Sequence, residues 1–467
     1  MAPVYKIFKK KAFARRLFSP FSAEPFAFLF ESAKRGALGR YSFFGARPFA
    51  VLRHEQGRAF LTRGARCQDT GRPLGEVVRE YLKEYRLKNP GLSYPFLCGM
   101  AGYLGYELGL GWEGIRQRPA RGAHVPDALL SFYDASVCFD HKTGEAAVFS
   151  SGFPEHGKSG KKRAGRRLEE ILQVLLESRP SPEKPFRGLL RAPESNFTKK
   201  SYLAAVRKAK AYIAAGDIYQ VNLSQKFSAR TRADDWQIYK RLSESFPVCF
   251  SGFYRTPDFS IISASPERFL DFDGRLVSTR PMKGTRPRTG DGESDEENRR
   301  QLSRSRKEKA ELLMVVDLER NDLGRVCRYG SVRLRRKRDI ESYRTVFQAT
   351  SEIEGLLHPS RDRWDLLKAC FPGGSVTGCP KIRAMEIIKE LEPDARGVYT
   401  GALGYMSFHN TLQFNILIRT LLKAGDRVCF HVGGGIVADS DPAREYEETL
   451  IKARVLLEAL TGRQELL

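Results

Sequence analysis

The sequence predicts an α+β protein with large, mainly antiparallel sheets flanked by helices. Strand-like segments rich in β-branched and aromatic residues lie at 41–53, 134–140, 219–227, 260–271, 399–408, 412–421 and 426–432. Helical stretches are expected at 305–319, 361–370, 380–391 and 442–460. Short turns join neighbouring strands in the second half, which favours antiparallel pairing over a doubly wound parallel sheet.

A proline-rich stretch predicts a boundary near the middle of the chain. Residues 178–196 hold four prolines and few apolar residues, which is typical of a linker. We therefore expect a strand-rich amino-terminal region at 1–178, a linker at 179–196 and a catalytic domain at 197–460. Thr198 is the expected N-cap of the first helix after the linker, with Tyr202 and Val206 on its buried face.

Composition excludes several classes of protein. The hydrophobic content of 41% is globular, and no apolar run reaches the ~18 residues of a membrane helix. The eight cysteines are scattered without a C-x-x-C pair, which favours reduced thiols and a cytoplasmic location. The net charge of +24 leaves nucleic-acid binding as an alternative. The basic runs at 9–11, 158–167 and 333–338 have no interleaved aromatics, so we interpret them as solvated surface.

A second alternative comes from a phosphate-loop pattern. GFPEHGKS at 152–159 matches G-x-x-x-x-G-K-[ST], and Asp317 could be the magnesium partner of an ATPase. Gly160 and the basic residues after Ser159 are expected to delay the next helix to about Lys161, whereas a phosphate loop should enter its helix directly. Asp317 also lies in a segment of helical character. Both features argue against this hypothesis.

Lys283, in the run RPMKGTRPR at 280–288, is a candidate nucleophile. A free lysine has a pKa of about 10.4, so almost none of it carries a reactive amine at pH 7. Burial and neighbouring cations lower that pKa, and Arg280, Arg286 and Arg288 are close in sequence.

Two pairs of carboxylates predict a magnesium site. Glu308 and Glu311 lie three residues apart on one expected helix, and Glu445 and Glu448 lie three apart on another. This spacing puts both members of a pair on one helix face. Two such faces together would offer the oxygen ligands that Mg²⁺ prefers, although each pair alone is also typical of solvated helix charge.

Two glycine-rich stretches are suited to binding carboxylates. FPGGSVTGCPK at 371–381 combines three glycines with two hydroxyls ahead of a helix, and VGGGIV at 432–437 places three glycines after a strand. Bare backbone N–H groups in such turns can close on an anion, and Arg419 at the end of the strand FNILIRT could add a bidentate clamp.

These motifs together resemble the chorismate-utilising enzymes. The segments PMKGTRPR, KEKAELLMVVDLERNDLGRV, PGGSVTGCPKIRAMEII and GGGIVADSDPAREYEETLIKA occur in the family's order across about 197–457. YSFFGARP and GMAGYLGYELG resemble the amino-terminal segments of the amino-transferring members. The resemblance implies an anthranilate synthase component I-like fold, in which two intertwined subdomains share large antiparallel sheets.

The resemblance also implies a role for each matching residue. Glu311 and Glu448 would bind Mg²⁺, with Glu308 and Glu445 supporting through water. Glu267 would protonate the departing C4 hydroxyl of chorismate, and Lys283 would attack C2. The implied substrate-binding residues are Gln220, Thr285, Gly374, Ser375, Thr377, Gly378, Lys381, Tyr399, Arg419, Gly433, Gly434, Gly435 and Lys452.

Three positions distinguish members of the family. Water-using members have a lysine base where this chain has Gln220, and anthranilate synthases typically have alanine at position 283. The chain also has Gln348 where a histidine is common, which disfavours elimination of pyruvate. The resemblance is therefore closest to aminodeoxychorismate synthase component I, which makes 4-amino-4-deoxychorismate for folate from chorismate and ammonia. Its partner would be a glutamine amidotransferase subunit, and anthranilate synthase component I is the alternative.

Overall fold

The computed structural model describes residues 2–9, 13–36, 38–117, 125–177, 185–344 and 346–461. The helices are α1 Ala14–Phe18, α2 Leu74–Glu84, α3 Tyr106–Trp112, α4 Gly157–Glu177, α5 Lys199–Ala214, α6 Asp235–Ser245, α7 Gly292–Arg304, α8 Arg306–Gly324, α9 Arg363–Cys370, α10 Lys381–Leu391 and α11 Pro442–Thr461.

The strands of the first half are β1 Val4–Lys9, β2 Phe28–Glu31, β3 Tyr41–Gly45, β4 Ala50–Glu55, β5 Arg58–Arg63, β6 Arg66–Asp69, β7 Gly99–Leu104, β8 Ala128–Tyr133, β9 Ala135–Asp140, β10 Glu145–Ser150, β11 Glu194–Ser195 and β12 Gln220–Arg230. Those of the second half are β13 Phe250–Arg255, β14 Ser260–Ser265, β15 Arg268–Phe272, β16 Leu276–Arg280, β17 Met282–Pro287, β18 Arg333–Ser342, β19 Val346–Leu356, β20 Gly378–Cys379, β21 Ala402–Ser407, β22 Leu412–Ile416, β23 Thr420–Ala424 and β24 Arg427–Ile436.

Two twelve-stranded antiparallel sheets organise the molecule. The first has the order β1-β10-β9-β3-β2-β13-β14-β23-β24-β12-β11, with β20 also on β12. The second has the order β17-β19-β16-β15-β22-β21-β7-β8-β4-β5-β6, with β18 also on β19. Each sheet takes strands from both sides of the linker, so the predicted α+β fold with intertwined subdomains is confirmed. The domain boundary at 179–196 stays a prediction, and residues 178–184 lie outside the described residues.

Among the described strands, the chain passes between the two sheets six times, and three of these crossings divide a predicted strand. The segment predicted as one strand at 41–53 is β3 in the first sheet and β4 in the second, 260–271 is β14 in the first and β15 in the second, and 412–421 is β22 in the second and β23 in the first. Backbone bonds join the last two of these divided segments: Ile416 N–H donates to the Glu267 carbonyl at 3.1 Å, and Ala264 N–H donates to the Arg419 carbonyl at 3.1 Å. The crossings therefore bring Glu267 and Arg419 to the junction of the two sheets.

Helices cover the outer faces of the sheets and supply the walls of the junction. Helices α6 and α11 pack on the first sheet and α8 packs on the second. The predicted N-cap is confirmed, because the Thr198 side chain accepts from the Ser201 N–H and completes a capping box at the start of α5. In the described ranges, no helix is both long enough and apolar enough to span a membrane.

The phosphate-loop segment differs from its predicted local structure. Helix α4 begins at Gly157, within the motif, and is not delayed to Lys161. The positive φ of Gly157 (62°) lets the chain turn directly into the helix. The Glu155 carboxylate bonds the Ser159 hydroxyl, so a negative charge lies inside the motif where a phosphate would have to bind. Asp317 lies in helix α8, as its helical context predicted.

Candidate active site

Lys283 lies half-buried in β17, beside a bulge between Lys283 and Thr285. Gly284 has φ +81°, and a Cβ there would lie 3.1 Å from Glu308 Oε2, so glycine is needed for the bulge. The Lys283 ammonium points toward β24, because a Cβ on Gly435 would lie 3.3 Å from its Nζ. The same Cβ would lie 3.2 Å from the Gln220 side-chain amide. Lys283, Gln220 and Gly435 therefore meet at one point.

Burial is the main reason why the pKa of Lys283 falls below its ordinary value. Glu311 and Glu267 oppose this shift, while Lys452 adds to it. We expected Arg280, Arg286 and Arg288 to supply the neighbouring positive charge. Instead each guanidinium is neutralised, by Glu341 at 2.5 Å, Glu308 at 2.5 Å and Asp295 at 3.3 Å respectively. The relevant cation is thus Lys452, which comes from α11 and is distant in sequence.

Glu267 is a buried acid at the crossing between β14 and β15, with only 3% of its surface exposed. Burial raises its pKa to about 7, although the Ser375 hydroxyl and the Lys283 ammonium oppose the shift. Its Oε1 atom has no hydrogen-bond partner within the described part of the chain. A carboxylic acid that titrates near neutral pH can hold a proton for transfer to a substrate.

Other buried polar atoms around Lys283 also lack a hydrogen-bond partner in the described part of the chain. Both polar side-chain atoms of Gln220 and the Gln348 Oε1 atom have no hydrogen-bond partner among the described residues. Buried polar atoms in native proteins nearly always have hydrogen bonds, and each exception needs an explanation. Their grouping beside Lys283 and Glu267 indicates a site that is completed by a polar ligand.

The glycine-rich stretch 371–381 packs against β12. A Cβ on Gly378, which has φ +151°, would lie 2.2 Å from the Gln220 carbonyl, and one on Gly374 would lie 2.8 Å from Leu318. The Thr377 hydroxyl donates to the Gly373 carbonyl at 3.0 Å, and its own carbonyl accepts from Asn222 N–H at 2.7 Å. These contacts hold Ser375 beside Glu267.

The three glycines of VGGGIV lie inside strand β24, so their predicted position after a strand is wrong. Gly433, Gly434 and Gly435 pair with Ser224, Leu223 and Asn222 of β12. Strand β23 pairs with β24 only as far as Cys429, so among the described strands the other edge of the glycines is open. A Cβ on Gly433 would lie 2.5 Å from the Leu223 carbonyl, so a side chain is excluded at that position.

The two carboxylate pairs lie on α8 and α11, as predicted, and these helices face the same cleft. Burial raises the pKa of Glu311, with Glu308 and Glu448 adding to the shift. Glu308 binds Arg286, the Glu445 Oε1 atom accepts from Ser440 at 2.7 Å, and Glu448 lies 2.6 Å from Lys452. No three His, Cys, Asp or Glu side chains in the described ranges are close enough to hold a metal in this conformation. The all-oxygen donor set nevertheless suits Mg²⁺.

Arg419 and Tyr399, two of the predicted substrate-binding residues, each lie against an aromatic ring of the protein. The Arg419 guanidinium lies 4.4 Å from the Phe246 ring centroid, in a backbone with φ +51°, and no described carboxylate pairs with it. Arg419 is therefore in the crossing, beyond the end of β22 at Ile416, and not at a strand end. Tyr399 stacks on His431 at 5.1 Å, and burial raises its pKa to about 12.

Lys381 and Lys452 already have partners within the protein. The Lys381 ammonium is buried, with Asp322 at 2.5 Å and the Cys370 carbonyl at 2.9 Å. Lys452 donates to the Gly433 carbonyl at 2.8 Å. Thr285 is exposed on the bulge of β17. The substrate contacts of these residues stay predictions.

The chain matches the family model for chorismate binding enzyme over residues 25–458. It belongs to the chorismate binding enzyme family. It is 36% identical over 449 residues to aminodeoxychorismate synthase component 1 of Klebsiella aerogenes, covering 96% of each chain. It is 38% identical over 467 residues to anthranilate synthase component 1 of Synechocystis, covering 94% of this chain and 91% of the relative.

A solved structure of anthranilate synthase component I from Streptococcus pneumoniae superposes with a TM-score of 0.80 at 30% identity. The match covers 91% of this chain and 93% of that one. The protein is thus a chorismate-utilising enzyme with the fold that the sequence motifs implied.

One buried residue of this chorismate binding enzyme was missed from the sequence. The Arg396 guanidinium donates to Glu392 at 2.6 Å, to the Asn222 carbonyl at 2.7 Å and to the Val376 carbonyl at 3.0 Å. It also lies 5.5 Å from the Tyr399 ring centroid. Arg396 therefore joins β12, the glycine-rich stretch and Tyr399. In the sequence it lies in EPDARG, where an arginine is indistinguishable from a solvated loop residue.

Proposed function

We propose that this chain is the component I subunit of an aminodeoxychorismate synthase, which converts chorismate and ammonia to 4-amino-4-deoxychorismate. The observation that carries the proposal is the half-buried Lys283 amine, with lowered pKa, beside the buried acid Glu267. Several relatives at 35–39% identity are aminodeoxychorismate synthase component 1 proteins, which supports the proposal. Anthranilate synthase component 1 relatives are equally similar, so the assignment within the family depends on the site residues.

In the proposed reaction, Lys283 and Glu267 act together. The amine forms a bond to C2 of chorismate, electrons shift through the ring, and the C4–O bond breaks. The proton held by Glu267 passes to the departing hydroxyl, which leaves as water. Ammonia then adds at C4 as the bond between C2 and the lysine nitrogen breaks, Lys283 returns as a free amine, and a proton from the added nitrogen restores the acid form of Glu267.

The other residues would bind and orient the substrate. Arg419 and the open edge of Gly433, Gly434 and Gly435 would hold its carboxylates. Gln220 cannot take a proton from water, so hydration of the ring is disfavoured. Glu311 and Glu448 would hold Mg²⁺, with Glu308 and Glu445 binding through water. The ion would stabilise charge on the ring carboxylate.

Product identification distinguishes the two family activities. The purified chain is incubated with chorismate, ammonium and Mg²⁺, and the products are separated by chromatography and identified by mass spectrometry. We expect the 4-amino compound, which yields 4-aminobenzoate only after a lyase is added. Direct release of fluorescent 2-aminobenzoate would instead assign the chain to anthranilate synthase.

The pH profile tests Glu267. We expect kcat/KM to fall as the pH rises above about 7, because Glu267 then loses the proton that it must donate. Glu267→Gln should reduce kcat/KM by roughly 10²–10⁴-fold and remove this alkaline limb. Glu107→Gln is the matched control, since Glu107 is also buried with a pKa near 7 but accepts from Arg396 N–H. A limb that persists in Glu267→Gln would contradict the assignment.

The nitrogen source gives a further prediction. Burial raises the thiol pKa of Cys98, Cys249 and Cys327, which keeps these sulfurs protonated and poorly nucleophilic. We expect the chain alone to use ammonium but not glutamine. Adding a glutamine amidotransferase subunit should restore glutamine-dependent turnover, measured as product formed at equal chorismate. Turnover of glutamine by the isolated chain would show that it carries its own amidotransferase site.

A further inference from the structure

A second concavity, whose lining includes none of the proposed catalytic, metal-binding or substrate-binding residues, carries an excess of positive charge. Its volume is about 530 Å³, and we call it the basic pocket. Five cations that line it have no ion pair or hydrogen-bonded side-chain partner in the described part of the chain. They are Lys83, Arg86, Arg275, Arg328 and Arg361.

The basic pocket contains almost no compensating negative charge. Asp362 is the one acid among its lining residues. Arg79 binds its Oδ2 atom at 2.6 Å, and its Oδ1 atom caps α9 by accepting from Trp364 N–H. All five cations are exposed, so water and salt screen their mutual repulsion and it costs the fold little, but their summed field in one concavity favours a bound anion. An anion with several negative charges would contact more than one of them.

The walls of the pocket are held in place by backbone hydrogen bonds. Leu357 N–H donates to the Arg275 carbonyl at 3.3 Å, and Arg328 N–H donates to the Leu356 carbonyl at 2.8 Å. Arg361 N–H donates to the His358 carbonyl at 2.9 Å. The cations therefore come from separate segments, the end of α2 and the segments beside β16, α8 and α9, on a preformed frame.

The shape and the kind of cation indicate the ligand. Four of the five are arginines, whose planar guanidinium groups match phosphate oxygens in a bidentate way. The volume falls in the range of metabolite sites, about 300–1,000 Å³, and is too confined for a duplex nucleic acid. Leu82 and Leu357 line the pocket and are half-buried, so an apolar surface is available beside the charges.

We propose that the basic pocket binds a compact polyphosphate anion of the size of a nucleoside triphosphate. This site is separate from the chorismate site and does not depend on the proposed reaction, because binding is measured without turnover. Inorganic triphosphate and ATP share the chemistry that the cations recognise, and comparing them shows whether the leucines contribute.

The test is titration calorimetry of the full chain with ATP and with inorganic triphosphate, both without Mg²⁺. We expect one saturable site whose affinity falls steeply with added salt. The triple variant Lys83→Gln, Arg275→Gln, Arg361→Gln should weaken binding at least tenfold while its chorismate turnover and melting temperature stay near those of the native protein.

A matched control separates this site from the phosphate-loop pattern. The triple variant Lys158→Gln, Lys161→Gln, Lys162→Gln removes the same charge from exposed positions at the start of α4. It should bind ATP as the native protein does. Loss of binding in this control alone would place ATP at 152–159 and overturn the inference. So would the absence of saturable binding, or an oligoglutamate peptide that binds the pocket more tightly than either phosphate compound.

Discussion

Replacing Lys283 with arginine is expected to reduce turnover of chorismate and ammonia by at least about a hundredfold. Arginine keeps the positive charge near Glu311 and Glu267 but stays protonated at any workable pH, so it cannot attack carbon. The loss should be smaller than the ~10⁶-fold effect that removing a nucleophile can have, because direct addition of ammonia to bound chorismate does not need the lysine. Steady-state kinetics with ammonium measures the change.

The covalent step has its own readout. Native enzyme incubated with chorismate and Mg²⁺ but without ammonia should carry an adduct at Lys283. Mass spectrometry of the peptide spanning 280–288 would locate it. Lys307→Arg is the matched control, since Lys307 lies 3.9 Å from Glu311 and is half exposed. It should retain activity and the adduct. A Lys283→Arg enzyme as active as the native one would rule out nucleophilic catalysis by this residue.

Local features of the chain predicted much of the fold. The N-cap at Thr198 and the helices predicted at 305–319, 361–370, 380–391 and 442–460 depend on side-chain chemistry and spacing within a few residues, and the structure confirms them. Helices α6 and α7 of the same half were not predicted. The i, i+3 carboxylate pairs are equally local, because one helix fixes their common face. The resemblance to the family then related the two pairs to one another, which spacing alone could not do.

The remaining features depend on contacts between distant segments. A crossing from one sheet to the other looks like continuous strand in sequence, so the segments that hold Glu267 and Arg419 were each merged into one strand. Register likewise decided the position of Gly433 to Gly435, because only pairing with Ser224 to Asn222 shows that they lie inside β24. The cation near Lys283 is Lys452, although three arginines are much closer in sequence.

The carboxylate cleft makes the second large prediction. Glu311→Gln and Glu448→Gln should each abolish detectable turnover, because an amide is nearly isosteric with the carboxylate but cannot offer a negatively charged ligand to Mg²⁺. Glu308→Gln and Glu445→Gln should cost about 10–100-fold and should be partly rescued by more Mg²⁺, since these residues are proposed to act through water. Glu447→Gln is the control, because Glu447 is exposed and pairs with Lys199 at 3.1 Å.

Melting temperatures separate loss of metal from loss of folding. Burial and like charges raise the pKa of Glu311, so ionised Glu311 destabilises the metal-free protein. Glu311→Gln should therefore melt at or above the native temperature without metal. In the native protein Lys452 lowers the pKa of Glu448, so the ionised pair stabilises the fold. Glu448→Gln should therefore melt at a slightly lower temperature, because Lys452 then has no charged partner at this position. Mg²⁺ should raise the melting temperature of the native protein and of Glu447→Gln, because an ion that binds the folded state stabilises it. It should not raise the melting temperature of Glu311→Gln or of Glu448→Gln, which lack a ligand for the ion. Undiminished turnover in excess chelator would exclude the metal and leave the four carboxylates as counter-charges for Lys283 and Lys452.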